Sequence, residues 1–281
     1  MRRINAAAVT EAVANLLKQA NCELDKDVLA ALKKARRDEE SPLGRDVIDT
    51  ILENARIAAA ERIPLCQDCG TAVVFLELGQ DAHITGGDLY SAVDEGVRRA
   101  YKEGFLRCSM VARPFSARTN TGDNTPAVIH TDIVPGDRLK IAVMPKGGGA
   151  ENMARLGMLL PAAGKPGVVE FVVKAVTEAG SRPCPPVIVG LGIGGTAEKA
   201  MFLAKHALLR KVGESSPDKE TADLEKEILT KVNNLGIGPA GYGGRITALA
   251  VHAESFPAHI TGLPVAVNLQ CHSARHRETV L

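Results

Sequence analysis

Six cysteines are the residues of this 281-residue chain whose type and spacing could do chemistry. Cys66 and Cys69 form a C-x-x-C pair in "IPLCQDCGTA", Cys184 stands in "RPCPP", and Cys22, Cys108 and Cys271 are isolated. Such a pair can be half of a zinc site or a redox couple. A zinc site closed by cysteines needs a second close pair, and the sequence has none. A thioredoxin-like pair opens a helix, whereas Gly70 and the strand-like "TAVVFLEL" follow here. Three separated cysteines could instead hold one face of an iron–sulfur cluster, which binds thiolates and needs loops that let it approach. The plainer alternative makes Cys184 and Cys271 small buried hydrophobes.

Just past Cys184, "PPVIVGLGIGGTAEKA" contains a complete G-x-G-x-x-G at Gly190, Gly192 and Gly195. A dinucleotide site also needs a second strand ending in an acidic residue about 20 positions on. The segment there reads "VGESSPDKETADLEKE", which places Glu214 in a loop and leaves the fingerprint half complete. A dinucleotide-binding regulatory protein is therefore the distant alternative. Further glycine-rich or polar stretches recur in "CQDCGT", "RTNTGDNTP", "PKGGGAEN" and "IGPAGYGG". Loops of this kind let the backbone approach a ligand and offer N–H groups to anions.

The elements that must position these loops follow from periodicity. Residues 1–62 read as a helical N-terminal part: "NAAAVTEAVANLLKQA", then "DKDVLAALKKARRDEE" with Asp25 at the N-cap, then a helix opened by Ser41 and Pro42. Residues 63–281 read as a mixed α/β part. "TAVVFLELG" is a strand, "DLYSAVDEGVRRAYKEG" a helix, and "AVIHTDIV" and "RLKIAVM" are strands joined by the turn "PGD". Helices are expected near Asn152–Leu160 and Gly167–Ala179, a strand at Val187, two more helices to about Asn234, and strands at "TALAVHA" and "PVAVNLQ". The fold class is mixed α and β, with Gly-rich loops at the element ends.

Composition excludes several functions. Lys plus Arg number 34 against 33 Asp plus Glu, so no global basic field points to nucleic acid. Trp is absent and aromatics are 3%, which removes stacking platforms for single strands. No apolar run approaches the about 18 residues of a membrane span, and the polar-interrupted N-terminus is unlike a signal peptide. The chain reads as cytoplasmic, with reduced thiols.

The segments "CQDCGTA", "LRCSMV", "RTNTGDNTPA", "PKGGGAENMARL", "CPPVIVGLGIGGT" and "AHITGLPVAVNLQC" together resemble the alpha subunit of the two-subunit class I fumarate hydratases and the related L-tartrate dehydratases. These are oxygen-sensitive iron–sulfur hydro-lyases, and the resemblance spans roughly Ile63 to Cys271. It implies a 4Fe-4S cluster on Cys66, Cys184 and Cys271, with an open iron acting as Lewis acid in the reversible hydration of fumarate to malate. Cys69 departs from the family's frequent Thr, and Cys108 is not expected to be a ligand.

By the same resemblance Asp68 and His259 are catalytic, and Gln67, Arg107, Gly148 and Gly149 line a dicarboxylate pocket. A guanidinium fork at Arg107 suits a carboxylate. Two-subunit members complete the pocket with a beta subunit, so the expected partners are that subunit, a small dicarboxylate and a second alpha copy. The glycines after Cys184 are expected to shape the turn behind a cluster ligand and to let a helix pack closely on its strand.

Overall fold

A computed structural model describes residues 2–281. In chain order its elements are β1 (Arg2–Asn5), α1 (Ala6–Cys22), α2 (Lys26–Asp38), α3 (Pro42–Glu61), β2 (Thr71–Gly79), β3 (Ala82–Thr85) and α4 (Leu89–Glu103). Then come β4 (Val128–Val134), β5 (Leu139–Lys146), α5 (Gly148–Glu151), β6 (Arg155–Leu159), α6 (Gly164–Ala179) and β7 (Val187–Gly194). The last are α7 (Ala197–His206), α8 (Lys219–Asn233), β8 (Ala248–Phe256), β9 (Leu263–Gln270) and β10 (Arg277–Val280). The fold is mixed α and β with a helical start. Among the described residues no helix is long and apolar enough to cross a membrane.

The chain forms two compact units. The first comprises described residues 2–24, 55–148 and 275–281, and the second residues 25–54 and 149–274. The three N-terminal helices are thus divided: α1 belongs to the first unit, α2 to the second, and α3 runs from one into the other.

In the first unit the sheet order is β10-β5-β2-β4, with β2 antiparallel to β5 and parallel to β4. The turn "PGD" therefore joins two strands that flank β2 rather than pair with each other. It closes over the end of β2 through Gly79 N–H to Arg138 O and Asp81 N–H to Gly136 O, at 2.8 and 2.9 Å. Helices α1 and α4 cover one face, burying Val9, Val13 and Leu17 against Val93, Val97, Val74 and Leu76. They approach closely because Gly96 has no side chain: a β-carbon there would lie 2.7 Å from Val13 Cβ. Helix α1 is capped by Asn5, whose side chain accepts Ala7 N–H, and α4 by Asp88.

The second unit is a sheet ordered β6-β9-β7-β8 with helices on both faces. Val187, Val189 and Leu191 of β7 alternate onto one face and meet Val172 and Val176 of α6 and Ile228 and Val232 of α8. The opposite alternation is Gly190 and Gly192, where β-carbons would lie 2.0 Å from the Ala204 and Ala200 carbonyl oxygens of α7. Helix α7 thus rests on bare strand backbone, the close packing expected of these glycines. The turn falls later, at Gly194 and Gly195, with φ of 88° and 67°.

One local expectation is corrected. Residues 155–159, expected within a helix, form β6, paired antiparallel with β9. Gly157 gives the reason: it faces the Phe171 ring at a distance no β-carbon could keep, 2.6 Å, and glycine disfavours a helix interior. Asp25 takes the cap position of α2, but its side chain makes no capping bond.

Candidate functional site

Strand register places the chemistry-bearing loops. In the first unit Thr71 at the start of β2 pairs with Lys146 at the end of β5. The Cys66–Gly70 turn and the Gly147–Gly148 turn therefore share one sheet end. Asp68 joins them: Oδ1 accepts Gly70 N–H at 3.0 Å, and Oδ2 accepts Gly148 N–H at 2.7 Å. Both oxygens are held by backbone, so the carboxylate is oriented rather than free to swing. Gly70, at φ 77°, has no room for a side chain, since a β-carbon would sit 2.7 Å from Lys146 N.

The two cysteines of the pair differ. Cys66 is half-buried, and its Sγ accepts Asp68 N–H at 3.4 Å and lies 3.3 Å from Gln67 Oε1. Cys69 is 1% exposed, with its Sγ 3.7 Å from the Cys66 carbonyl while accepting Arg107 N–H at 3.2 Å. Burial pushes the Cys69 thiol up, against the Arg107 N–H and the Arg275 guanidinium, which pull it down. Cys69 thus acts as a buried clamp on the Arg107 segment, whereas the Arg107 and Gln67 side chains are exposed.

Three residues of this site went unrecognised in the sequence. Tyr101, 2% exposed, places its hydroxyl 2.8 Å from the Cys69 and Gly70 carbonyl oxygens. Asn124, at φ 60°, donates to Gly70 O and accepts the N–H groups of Ser109 and Met110. Arg275 donates to the Asp68 carbonyl. Asn124 lies within the polar "RTNTGDNTP" stretch, which carried a signal; Tyr101 and Arg275 carried none.

In the second unit Ile188 pairs with Gln270, so the loop before β7 and the residues after β9 meet at one sheet end. Cys184, exposed and at φ 55°, and half-buried Cys271 stand there. The contact is direct: His272 N–H donates to Cys184 O at 3.3 Å, and His272 Nδ1 lies 3.0 Å from the same oxygen. Their exposure removes the reading of both as buried hydrophobes. Gly149 is at the same end, where a β-carbon would lie 3.1 Å from Arg182 O.

His259 is not. It lies in the exposed loop before β9, so the full length of that strand, roughly 25 Å at about 3.3 Å per residue, separates it from Cys271. Its Nδ1 accepts Thr261 N–H at 3.3 Å and lies 2.7 Å from Thr261 Oγ1. Within the second unit His259 thus stands at the end of β9 opposite Cys271. Near that far end opens a cavity of about 410 Å³ lined by Lys165, Ile193, Thr221, Ser255 and Gly262, which holds none of the expected site residues.

None of the six cysteines is in a disulfide. Among the described residues no three His, Cys, Asp or Glu side chains gather around a point as a single metal ion would require. In an iron–sulfur cluster the thiolates bind different irons, so three sulfurs need not converge on one point. Cys66, Cys184 and Cys271 suit that demand: all are at least partly exposed, each ends a loop at a sheet end, and Cys66 already accepts an N–H···S bond of the kind that tunes such clusters.

Comparison with known proteins gives a consistent picture. The family described as fumarate hydratase (fumerase) matches residues 10–280. A protein of Methanocaldococcus jannaschii, provisionally named L(+)-tartrate dehydratase subunit alpha, is 42% identical over 274 residues, covering 95% of each chain. L(+)-tartrate dehydratase alpha subunits of Escherichia coli O157:H7 and of strain K12 are 35% and 34% identical, each match covering 97% of this chain and 90% of the relative.

Proposed function

This chain belongs to the fumarate hydratase family as an alpha subunit of its two-subunit hydro-lyases, and from that premise we propose a site that adds or removes water at a four-carbon dicarboxylate. The observation that carries the proposal is that each unit gathers expected site residues at one end of its own sheet. The first unit sets Cys66, Gln67, Asp68 and Gly148 at one sheet end, and the second sets Gly149, Cys184 and Cys271 at another. The chain itself links the two sets at the Gly148–Gly149 peptide.

In this reading Cys66, Cys184 and Cys271 hold a 4Fe-4S cluster. When bound, the cluster supplies a Lewis acid at its open iron for the substrate hydroxyl. The remaining steps fall to side chains. Asp68, fixed at both oxygens, orients the substrate or moves a proton at its carboxylate. Arg107, whose main chain is pinned by Cys69, presents its exposed guanidinium to a substrate carboxylate, and Gln67 offers its amide beside it. Gly148 and Gly149 keep the approach open. A catalytic part for His259, which stands at the far end of β9 from Cys271, would call for a second alpha copy.

Two substrates fit this half-site. The family description favours fumarate and malate; the names of the relatives favour L(+)-tartrate. The same names, each a subunit alpha, support a beta subunit that completes the pocket. The test is anaerobic iron loading of the chain coexpressed with a beta subunit, followed by kcat/KM on L-malate and L(+)-tartrate. Iron uptake with turnover of one substrate supports the reading. Tight nicotinamide nucleotide binding without iron would overturn it in favour of a nucleotide-binding module.

A further inference from the structure

The guanidinium of Arg275 is buried, and the acceptors it bonds are neutral. The side chain is 1% exposed. Its Nη1 donates to Asn21 Oδ1 at 3.0 Å and to the Asp68 carbonyl at 2.8 Å, and its Nε is buried with no acceptor. Gly147 fits beside it, where a β-carbon would lie 3.4 Å from Nη2 and 3.4 Å from Asp68 Oδ2. A cation taken out of water is expensive unless opposite charge and hydrogen bonds offset it; the acceptors that Arg275 bonds are two neutral oxygens, and the nearby Asp68 carboxylate already gives its two oxygens to the Gly70 and Gly148 N–H groups. The guanidinium lies against the Cys66–Gly70 turn through its bond to the Asp68 carbonyl.

We propose that Arg275 is a positioning residue that holds the Cys66–Asp68 turn through the Asp68 carbonyl and supplies the fixed positive charge matched by an anionic group bound at that turn. The inference rests on the reading of Cys66 as a cluster ligand. A cluster held by three thiolates is that anionic group, because the three ligand charges outweigh the charge of the iron–sulfide core. Arg275 touches neither substrate nor reacting atoms. It acts through the turn and through its field, which reaches far in a water-poor interior.

The experiment compares the wild-type chain with Arg275→Met, which keeps length and removes charge, and Arg275→Lys, which keeps charge and loses the fork. Each full-length chain is melted before and after anaerobic loading with iron and sulfide, and iron retention is titrated against a chelator. Arg275→Met is expected to hold iron about 10–100-fold less tightly, the usual effect of losing an outer partner of a metal site. Its melting temperature should fall more in the loaded state than in the iron-free state. Arg275→Lys should recover much of the retention.

A purely structural role predicts the opposite: equal melting losses in both states and unchanged retention per folded chain, which overturns the proposal. Should Arg275→Met not fold, Arg275→Lys decides alone. Retention near wild type supports the charge role, and loss as complete as in Cys66→Ser removes it. A wild-type chain that takes up no iron brings down the cluster reading and this inference together. A wild-type chain that loads, beside variants that retain iron equally well, removes only this inference.

Discussion

The two sulfurs of the C-x-x-C pair make the residue-scale argument. Three positions apart, they receive opposite environments: Cys66 is half-buried beside the Asp68 amide, and Cys69 is sealed under Arg107. Cys66→Ser, Cys184→Ser and Cys271→Ser are each expected to abolish iron retention, while Cys22→Ser, Cys108→Ser and Cys69→Ser keep it. Cys69→Ser should also lower stability by about 1 kcal/mol, because a hydroxyl replaces a buried thiol. Iron lost from Cys69→Ser but kept by Cys66→Ser would reverse the choice of ligand. Asp68→Asn removes one of the two acceptors that hold the Gly70 and Gly148 amides. It is expected to lower kcat by about 10²–10⁴, the range of acid–base catalysis, with iron content unchanged. An Asp68→Asn enzyme of normal kcat would leave Asp68 a turn residue only.

At the scale of elements, two side-chain choices decide packing. Gly192→Ala would push a β-carbon into the Ala200 carbonyl of α7. The backbone cannot yield as a side-chain tip would, so a loss of about 3 kcal/mol or failure to fold is expected in urea denaturation. A variant as stable as the parent would mean that α7 sits further from β7. Glu39, 0% exposed, stitches the α2–α3 connection to residues 245 and 246 by accepting the N–H groups of Ser41, Arg245 and Ile246 at 2.9, 2.9 and 2.7 Å. Burial pushes this carboxyl up, but the backbone donors together outweigh it and hold it below the usual range. With the folded value depressed, the stabilisation is present above the unfolded value of about 4.3 and is lost as pH falls through the folded one. Glu39→Gln should therefore be about 1–3 kcal/mol less stable at neutral pH, with the gap closing in acid. Thermal unfolding of both proteins at a series of pH values checks this, and a gap independent of pH would refute it.

For the whole molecule the decisive feature is that neither unit holds all three proposed ligands. The alpha chain alone is expected to bind iron yet turn over neither malate nor tartrate, with activity appearing on coexpression with a beta subunit. Full hydratase activity from the iron-loaded chain without any partner would show that these 281 residues supply the whole pocket. Glycine placement also bears on the competing nucleotide reading: Gly190 and Gly192 are occupied in admitting α7 to the sheet. Binding of NADH with an equilibrium constant in the micromolar range would be inconsistent with that use.

Most elements were legible in the sequence because their signals are local. The i, i+4, i+8 spacing of Val9, Val13 and Leu17, the cap position at Asp25 and the apolar run of β7 are written within a dozen residues. The family-specific loops were legible too, since chemistry fixes residue types over short spans. Pairing was not. That β4 and β5 flank β2, and that 155–159 join β9 as a strand, depends on partners far away in the chain, and on Phe171 closing over Gly157. The same holds for the site: sequence named Cys66, Asp68, Cys184 and Cys271, but only strand register put Cys184 beside Cys271, sent His259 to the opposite end of β9, and carried Arg275 back beneath the Asp68 turn. A residue's type is set by the chemistry it must do, whereas its neighbours are set by burial and hydrogen bonding summed over the fold, which no short stretch of sequence contains.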